Sequence, residues 1–152
     1  MQLDQFSKKI LRILQEDGRI TVQDLAVQAG LSTSPCWRRL KELEESGIIR
    51  RYAALLDRRR LGLNLCMIVQ VTLLRHAEGT VESFETRILE CPEVVECYET
   101  TGDADYVLKV FVPDIDAFNA FLHDSLLKLP GIAQVRSSVA LKEIKYDTAL
   151  PL

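Results

Sequence analysis

The sequence predicts an α+β chain: an N-terminal (winged) helix-turn-helix domain, then a C-terminal ferredoxin-like βαββαβ sandwich. Three observations carry that expectation. Apolar residues recur at three- and four-residue spacing from Leu3 to Leu43, the period of helices packed on a shared core. After Asn64 the pattern changes to β-branched runs alternating twice with amphipathic stretches. The charge divides at the same place. Residues 1–60 hold 12 Lys and Arg against 8 Asp and Glu, while residues 61–152 hold 7 against 14. A basic first part joined to an acidic second part suggests that only the first meets a polyanion. "DRRRLGLN" marks the join and gives domains 1–60 and 61–152.

Composition narrows the class further. With 47% apolar residues the chain can build a core, which excludes wholesale disorder. No apolar run approaches the ~20 residues of a membrane span. Asp4, Lys8, Lys9 and Arg12 interrupt the start, unlike a secretory signal. Four scattered cysteines without a C-x-x-C spacing point to neither a disulfide framework nor a zinc site. The expected setting is the cytoplasm, with no metal, cofactor or membrane.

Leu3, Phe6, Ile10, Ile13 and Leu14 form the apolar stripe of a first helix, closed by Asp17-Gly18. Thr21, three residues before Asp24, caps a second helix with Val22, Leu25, Ala26 and Ala29 inward, and Gly30 ends it. A third helix runs from the Ser32-Thr33-Ser34-Pro35 stretch to Ser46-Gly47. Either Ser32 or Ser34 suits its N-cap, and Pro35 suits a first turn. The short link between the second and third helices is a helix-turn-helix signature.

At ~100° per residue, Cys36, Leu40 and Leu43 share the buried side of the third helix. The opposite side presents Ser34, Arg38, Lys41 and Glu45, flanked by Trp37 and Arg39. Hydroxyls at a helix start suit phosphates, and Arg38 one turn later has the reach for a guanine edge in a major groove. The competing reading is a solvated face whose cations pair with Glu42, Glu44 and Glu45. Cys36, facing inward, fits a small core residue better than a redox switch. Ile48–Leu56 has strand character and places Arg50 and Arg51 where a wing meets phosphates, contacts that add affinity without sequence choice. Arg58, Arg59 and Arg60 either join them or solubilise the linker.

In the second part, Leu65–Leu74 reads as a buried strand. A helix marked by Val81, Phe84, Ile88 and Leu89 follows, stopped at Cys91-Pro92. Val94–Thr101 and Tyr106–Val112 form a hairpin around Gly102-Asp103-Ala104-Asp105. Pro113-Asp114 opens a helix carrying Ile115, Phe118, Phe121, Leu122 and Leu126, and Ile132–Ile144 is the last strand. Two helices cover one sheet face, so pairing with a second copy is the economical way to cover the other.

No catalytic constellation stands out. His76 and His123 lie in different elements without ligand spacing, and Ser137-Ser138 lacks a nucleophile elbow. The Thr100–Tyr106 loop admits two readings. Its amides and aspartates suit the carboxylate and ammonium of a free amino acid, or its aspartates simply hold the turn.

"GLSTSPCWRRLKELEESGIIRRY" (Gly30–Tyr52), preceded by "LDQFSKKILRILQEDGRITVQDLA", closely resembles the DNA-binding half of the Lrp/AsnC (leucine-responsive, feast/famine) transcription regulators. "TGDADYVLKV" (Thr101–Val110) resembles that family's sensor loop and strand. The resemblance implies a DNA-binding regulator, not an enzyme, whose second domain dimerises through its sheet. Dimers would assemble further, into octamers or related discs, and an amino-acid effector would bind between dimers near the glycine-aspartate loop. Carried over by position, Ser32, Thr33, Ser34, Trp37, Arg38 and Lys41 face DNA, and Thr101, Gly102, Asp103 and Asp105 meet the effector. Thr33 stands where many relatives have proline. The alternatives are a constitutive architectural DNA binder without an effector, or a ligand-modifying enzyme on a DNA anchor.

Overall fold

The computed structural model describes residues 3–74 and 79–152; His76 lies outside the described residues. The chain divides into two compact units, Met1–Leu55 with Lys145–Leu152, and Leu56–Ile144. The expected boundary at residue 60 therefore shifts slightly, and the last eight residues return to the first unit. Their anchoring explains why. The Gln15 side chain exchanges hydrogen bonds with the Leu150 backbone, Arg12 donates to the Leu152 backbone oxygen, and Leu152 packs against the first unit's core. Those contacts are remote in sequence, so local pattern does not encode them.

The first unit holds α1 (Gln5–Glu16), α2 (Val22–Ala29) and α3 (Thr33–Glu45). The starts of α1 and α2 follow from local side-chain bonds. The Asp4 carboxylate accepts from the Ser7 N–H at 2.8 Å, and Thr21 Oγ1 accepts from the Asp24 N–H while donating to its carboxylate. Gly30, at φ 75°, ends α2 in the left-handed region and turns the chain into α3. Ser32 is the N-cap of α3, which puts Pro35 in the first turn. Ile10, Leu25, Ala26, Ala29, Cys36 and Leu43 form the core. Each large apolar side chain there contributes about 1.5–3 kcal/mol.

The expected strand Ile48–Leu56 is not formed: residues 51–57 carry no regular structure. Strand-like residues need a partner for their N–H and C=O groups, and among the described residues no strand pairs with this segment. Tyr52 holds the segment instead. Its hydroxyl donates to Glu44 at 2.8 Å, and a Cβ on Gly18 would lie 3.6 Å from its ring. Burial, then the Glu44 carboxylate, push the Tyr52 phenol up to about 12.

The second unit holds β1 (Leu65–Leu73), α4 (Thr80–Leu89), β2 (Val94–Glu99), β3 (Tyr106–Val112), α5 (Ile115–Phe121) and β4 (Ile132–Val139). The sheet is antiparallel in the order β2-β3-β1-β4, the ferredoxin-like arrangement. Met67, Val69 and Val71 of β1 meet Leu108 and Val110 of β3 on the helix side, under Phe84, Ile88, Phe118, Phe121 and Leu126. Val81, Leu89 and Ile115, among the apolar residues that marked the two helices, are exposed. Leu89 sits ~100° round the helix from buried Ile88, so both cannot face the sheet.

The second long helix is interrupted. After α5 the backbone takes a π turn over Leu122–Leu126, with the Leu127 N–H reaching the Leu122 carbonyl at 2.8 Å. In a regular helix Leu126 would sit about 140° from Phe121, since five residues exceed a 3.6-residue turn. The wider turn returns fully buried Leu126 to the core face. β4 ends at Val139, five residues short of the expected Ile144.

Candidate nucleic-acid interface and ligand loop

Helix α3 is fixed from behind. Cys36 and Leu43 are fully buried, and burial pushes the Cys36 thiol above its ordinary value, as a core residue requires. Arg39 turns inward too. Its guanidinium meets the Asp4 carboxylate at 2.6 Å and Ser7 Oγ at 3.3 Å, and lies 5.6 Å over the Phe6 ring. Chiefly the Ser7 backbone N–H, with help from Arg39, holds the Asp4 carboxyl below its usual range. Arg39 thus locks α3 to α1, a role that helical periodicity does not reveal.

The other side of α3 faces solvent. Ser32, Thr33, Ser34, Trp37, Arg38 and Lys41 are all exposed, and Ser32 makes no side-chain cap bond. Arg38 and Lys41 do reach Glu42 and Glu45, but only at 4.0 Å with all four side chains more than half exposed. Such pairs contribute about 0.3–0.5 kcal/mol, so both cations can turn to a stronger anion. Lys41 Nζ lies 5.0 Å over the Trp37 ring. An open concavity of about 710 Å³ lies between the starts of α2 and α3, lined by Val22, Gln23, Thr33, Ser34, Trp37 and Arg38. Val22 and Gln23 were not visible as site residues in the sequence, because helical period marks faces and not the gaps between helices.

Arg50 and Arg51 are exposed on the irregular segment after α3. Arg58 is not available in the same way. It donates to the carbonyls of Leu63 and Asn64 and stacks 4.9 Å from the Phe111 ring.

The loop between β2 and β3 uses its polar residues unequally. Asp105 Oδ2 accepts from the Leu73 N–H at 2.7 Å, and the Asp105 N–H donates to Val71. Thr100 closes the turn through Oγ1 to Ala104 and its N–H to Asp105. Asp105 and Thr100 therefore hold the turn, as the plainer of the two readings expected. Thr101, Gly102 and Asp103 remain exposed. Gly102 has no positive φ, and a Cβ there would meet nothing within 4 Å, so neither strain nor space demands glycine. Among the described residues, no three His, Cys, Asp or Glu side chains gather as a metal site, and no helix is long and apolar enough to cross a membrane.

A Lrp/AsnC ligand binding domain matches residues 66–150, and a winged helix-turn-helix DNA-binding domain matches residues 3–50. The chain belongs to the Lrp/AsnC family. Its relatives include the Bkd operon transcriptional regulator of Pseudomonas aeruginosa, 42% identical over 99% of each chain. The leucine-responsive regulatory protein of Escherichia coli is 40% identical over 97% of this chain and 90% of its own. A crystallised transcriptional regulator of Neisseria meningitidis in complex with L-methionine superposes with a TM-score of 0.95 at 44% identity, covering 99% of this chain and 97% of that one. These Lrp/AsnC relatives are transcriptional regulators and not enzymes, and this chain is a DNA-binding transcriptional regulator of the same type.

Proposed function

We propose that this regulator reads DNA through the exposed side of α3, and that an amino acid bound at the β2–β3 loop changes its hold on DNA. The observation that carries the reading is the division of α3, with Cys36, Leu43 and Arg39 fixing the helix while Arg38 and Lys41 stay weakly tethered. Arg38 addresses a guanine edge from the major groove. Ser32, Thr33, Ser34 and Lys41 meet phosphates near the helix start, and Arg50 and Arg51 add phosphate contacts beyond it. The unit built on α1, α2 and α3 serves DNA binding, and the unit built on the sheet senses the effector and assembles the oligomer.

At the loop, Thr101, Gly102 and Asp103 form the open side of the effector site. The bare Gly102 backbone admits close approach, Asp103 takes the ammonium, and Asp105 shapes the turn. L-methionine is the first effector to try, because the similar Neisseria regulator holds it. The protein works in the cytoplasm as a homodimer that assembles further, an octamer being the expected particle. Tyr98, Val107 and Phe111 lie on the sheet face away from the helices, and Leu141 and Ile144 of the same unit are exposed, apolar surface that a second copy would cover.

A thermal-shift screen of the twenty amino acids, with native mass measurement of the particle, tests the reading. The expected result is stabilisation by one or a few amino acids and a mass that is an even multiple of the chain. A flat screen would remove the effector and leave a constitutive architectural binder. A monomer would remove the assembly.

A further inference from the structure

Trp37 is an unusual residue to leave half exposed on a helix of this kind. Its indole is 52% exposed, while every other large apolar residue of α3 turns toward the core. With Val22 at the start of α2 it lines the open concavity, whose wall is mainly apolar. Lys41 stacks on the indole, and Arg38 borders the same hollow. The hollow therefore combines an apolar wall with one cation, Arg38, at its border and a second, Lys41, over the indole that helps form it, on a chain whose first 60 residues carry more basic than acidic side chains. That combination complements one feature of duplex DNA. The thymine C5 methyl is the apolar group that a major groove displays, and it sits beside the phosphate backbone that cations attract.

We propose that Trp37 and Val22 seat the C5 methyl of a thymine next to the base that Arg38 addresses, making Trp37 a specificity-determining residue. The inference rests on α3 being the DNA-contacting helix and adds which base its apolar flank selects. Lys41 steadies the indole and meets the adjoining phosphate. The site is thus selective for T over C at one position of each half-site.

The test starts with selection of duplexes from a random library by the full-length protein. Each thymine of the selected site is then replaced by deoxyuridine, which removes the methyl and nothing else. For the wild-type protein one thymine per half-site should weaken binding about fourfold on replacement, the worth of one buried methyl-sized group. In Trp37→Ala that replacement should have no further effect, and Trp37→Phe should retain part of it. Trp37 is half exposed, so both variants should melt with the wild type. A deoxyuridine penalty that persists unchanged in Trp37→Ala would overturn the inference, as would equal weakening of selected and random duplexes. A change in native mass would assign Trp37 to packing between copies and overturn it too. In those cases the regulator reading survives. Failure of the wild-type protein to select any sequence would bring down both.

Discussion

On α3 and in the β2–β3 loop, polar side chains stand in motif positions but are used differently. Arg38 and Lys41 are tethered only by exposed pairs at 4.0 Å, so their binding capacity is left over after folding. In the loop, Thr100 and Asp105 are committed to backbone groups of their own sheet, and only Thr101, Gly102 and Asp103 are left over. A residue's type marks it as a candidate; whether folding already uses its polar atoms separates a site from its scaffold.

That distinction can be broken at several points, beginning with a residue that belongs wholly to the scaffold. Gly131 has φ +83°, and a Cβ there would collide with the side chain of buried Thr80. Gly131→Ala should therefore lower the unfolding free energy by about 2–4 kcal/mol in urea titration, combining left-handed strain with overpacking. Wild-type stability would contradict the packing described for the start of β4.

Asp105 and Asp103 sharpen the comparison directly. Asp105→Ala strands the Leu73 N–H and should cost about 1–3 kcal/mol of stability, with any loss of amino-acid response following from the loosened loop. Asp103→Ala should leave stability within about 0.5 kcal/mol of wild type and still abolish amino-acid binding in calorimetry. If the two variants exchange these behaviours, the division of the loop into turn and site is wrong.

Much of the local structure was legible in the sequence. Thr21 with Asp24, and Gly30, announced the ends of α2 because caps are made by neighbours in the chain. The spacing of Cys36 and Leu43 likewise announced the buried side of α3. What escaped depended on distant partners: the unpaired segment after α3, the inward turn of Arg39 toward Asp4, and the return of Leu150 and Leu152 to α1. The π turn escaped for another reason. Phe121 and Leu126 are both apolar but out of helical phase, and only packing against the sheet decides that the backbone gives way. At the sites, residue types were readable, but the commitment of Asp105 to Leu73 was not, since it joins β1 to a loop about 30 residues away.

The smallest effect concerns acid. Asp4 is held below its unfolded value by the Ser7 N–H and Arg39, so its contribution is full above about pH 3.8 and fades as pH falls through the lowered value. Asp4→Asn should flatten that part of the melting temperature against pH, leaving neutral DNA binding unchanged. An unaltered acid limb would show that the Asp4 cap is not what α1 loses first.

Equilibrium titration of a selected duplex and a random duplex, with wild type and Arg38→Ala side by side, bears most directly on the exposed side of α3. The wild-type protein should prefer the selected duplex by roughly a thousandfold or more at physiological salt. Arg38→Ala should shrink that preference by about 1–3 kcal/mol while its affinity for random DNA barely moves. Equal losses on both duplexes would make Arg38 a phosphate contact and contradict base reading by this helix.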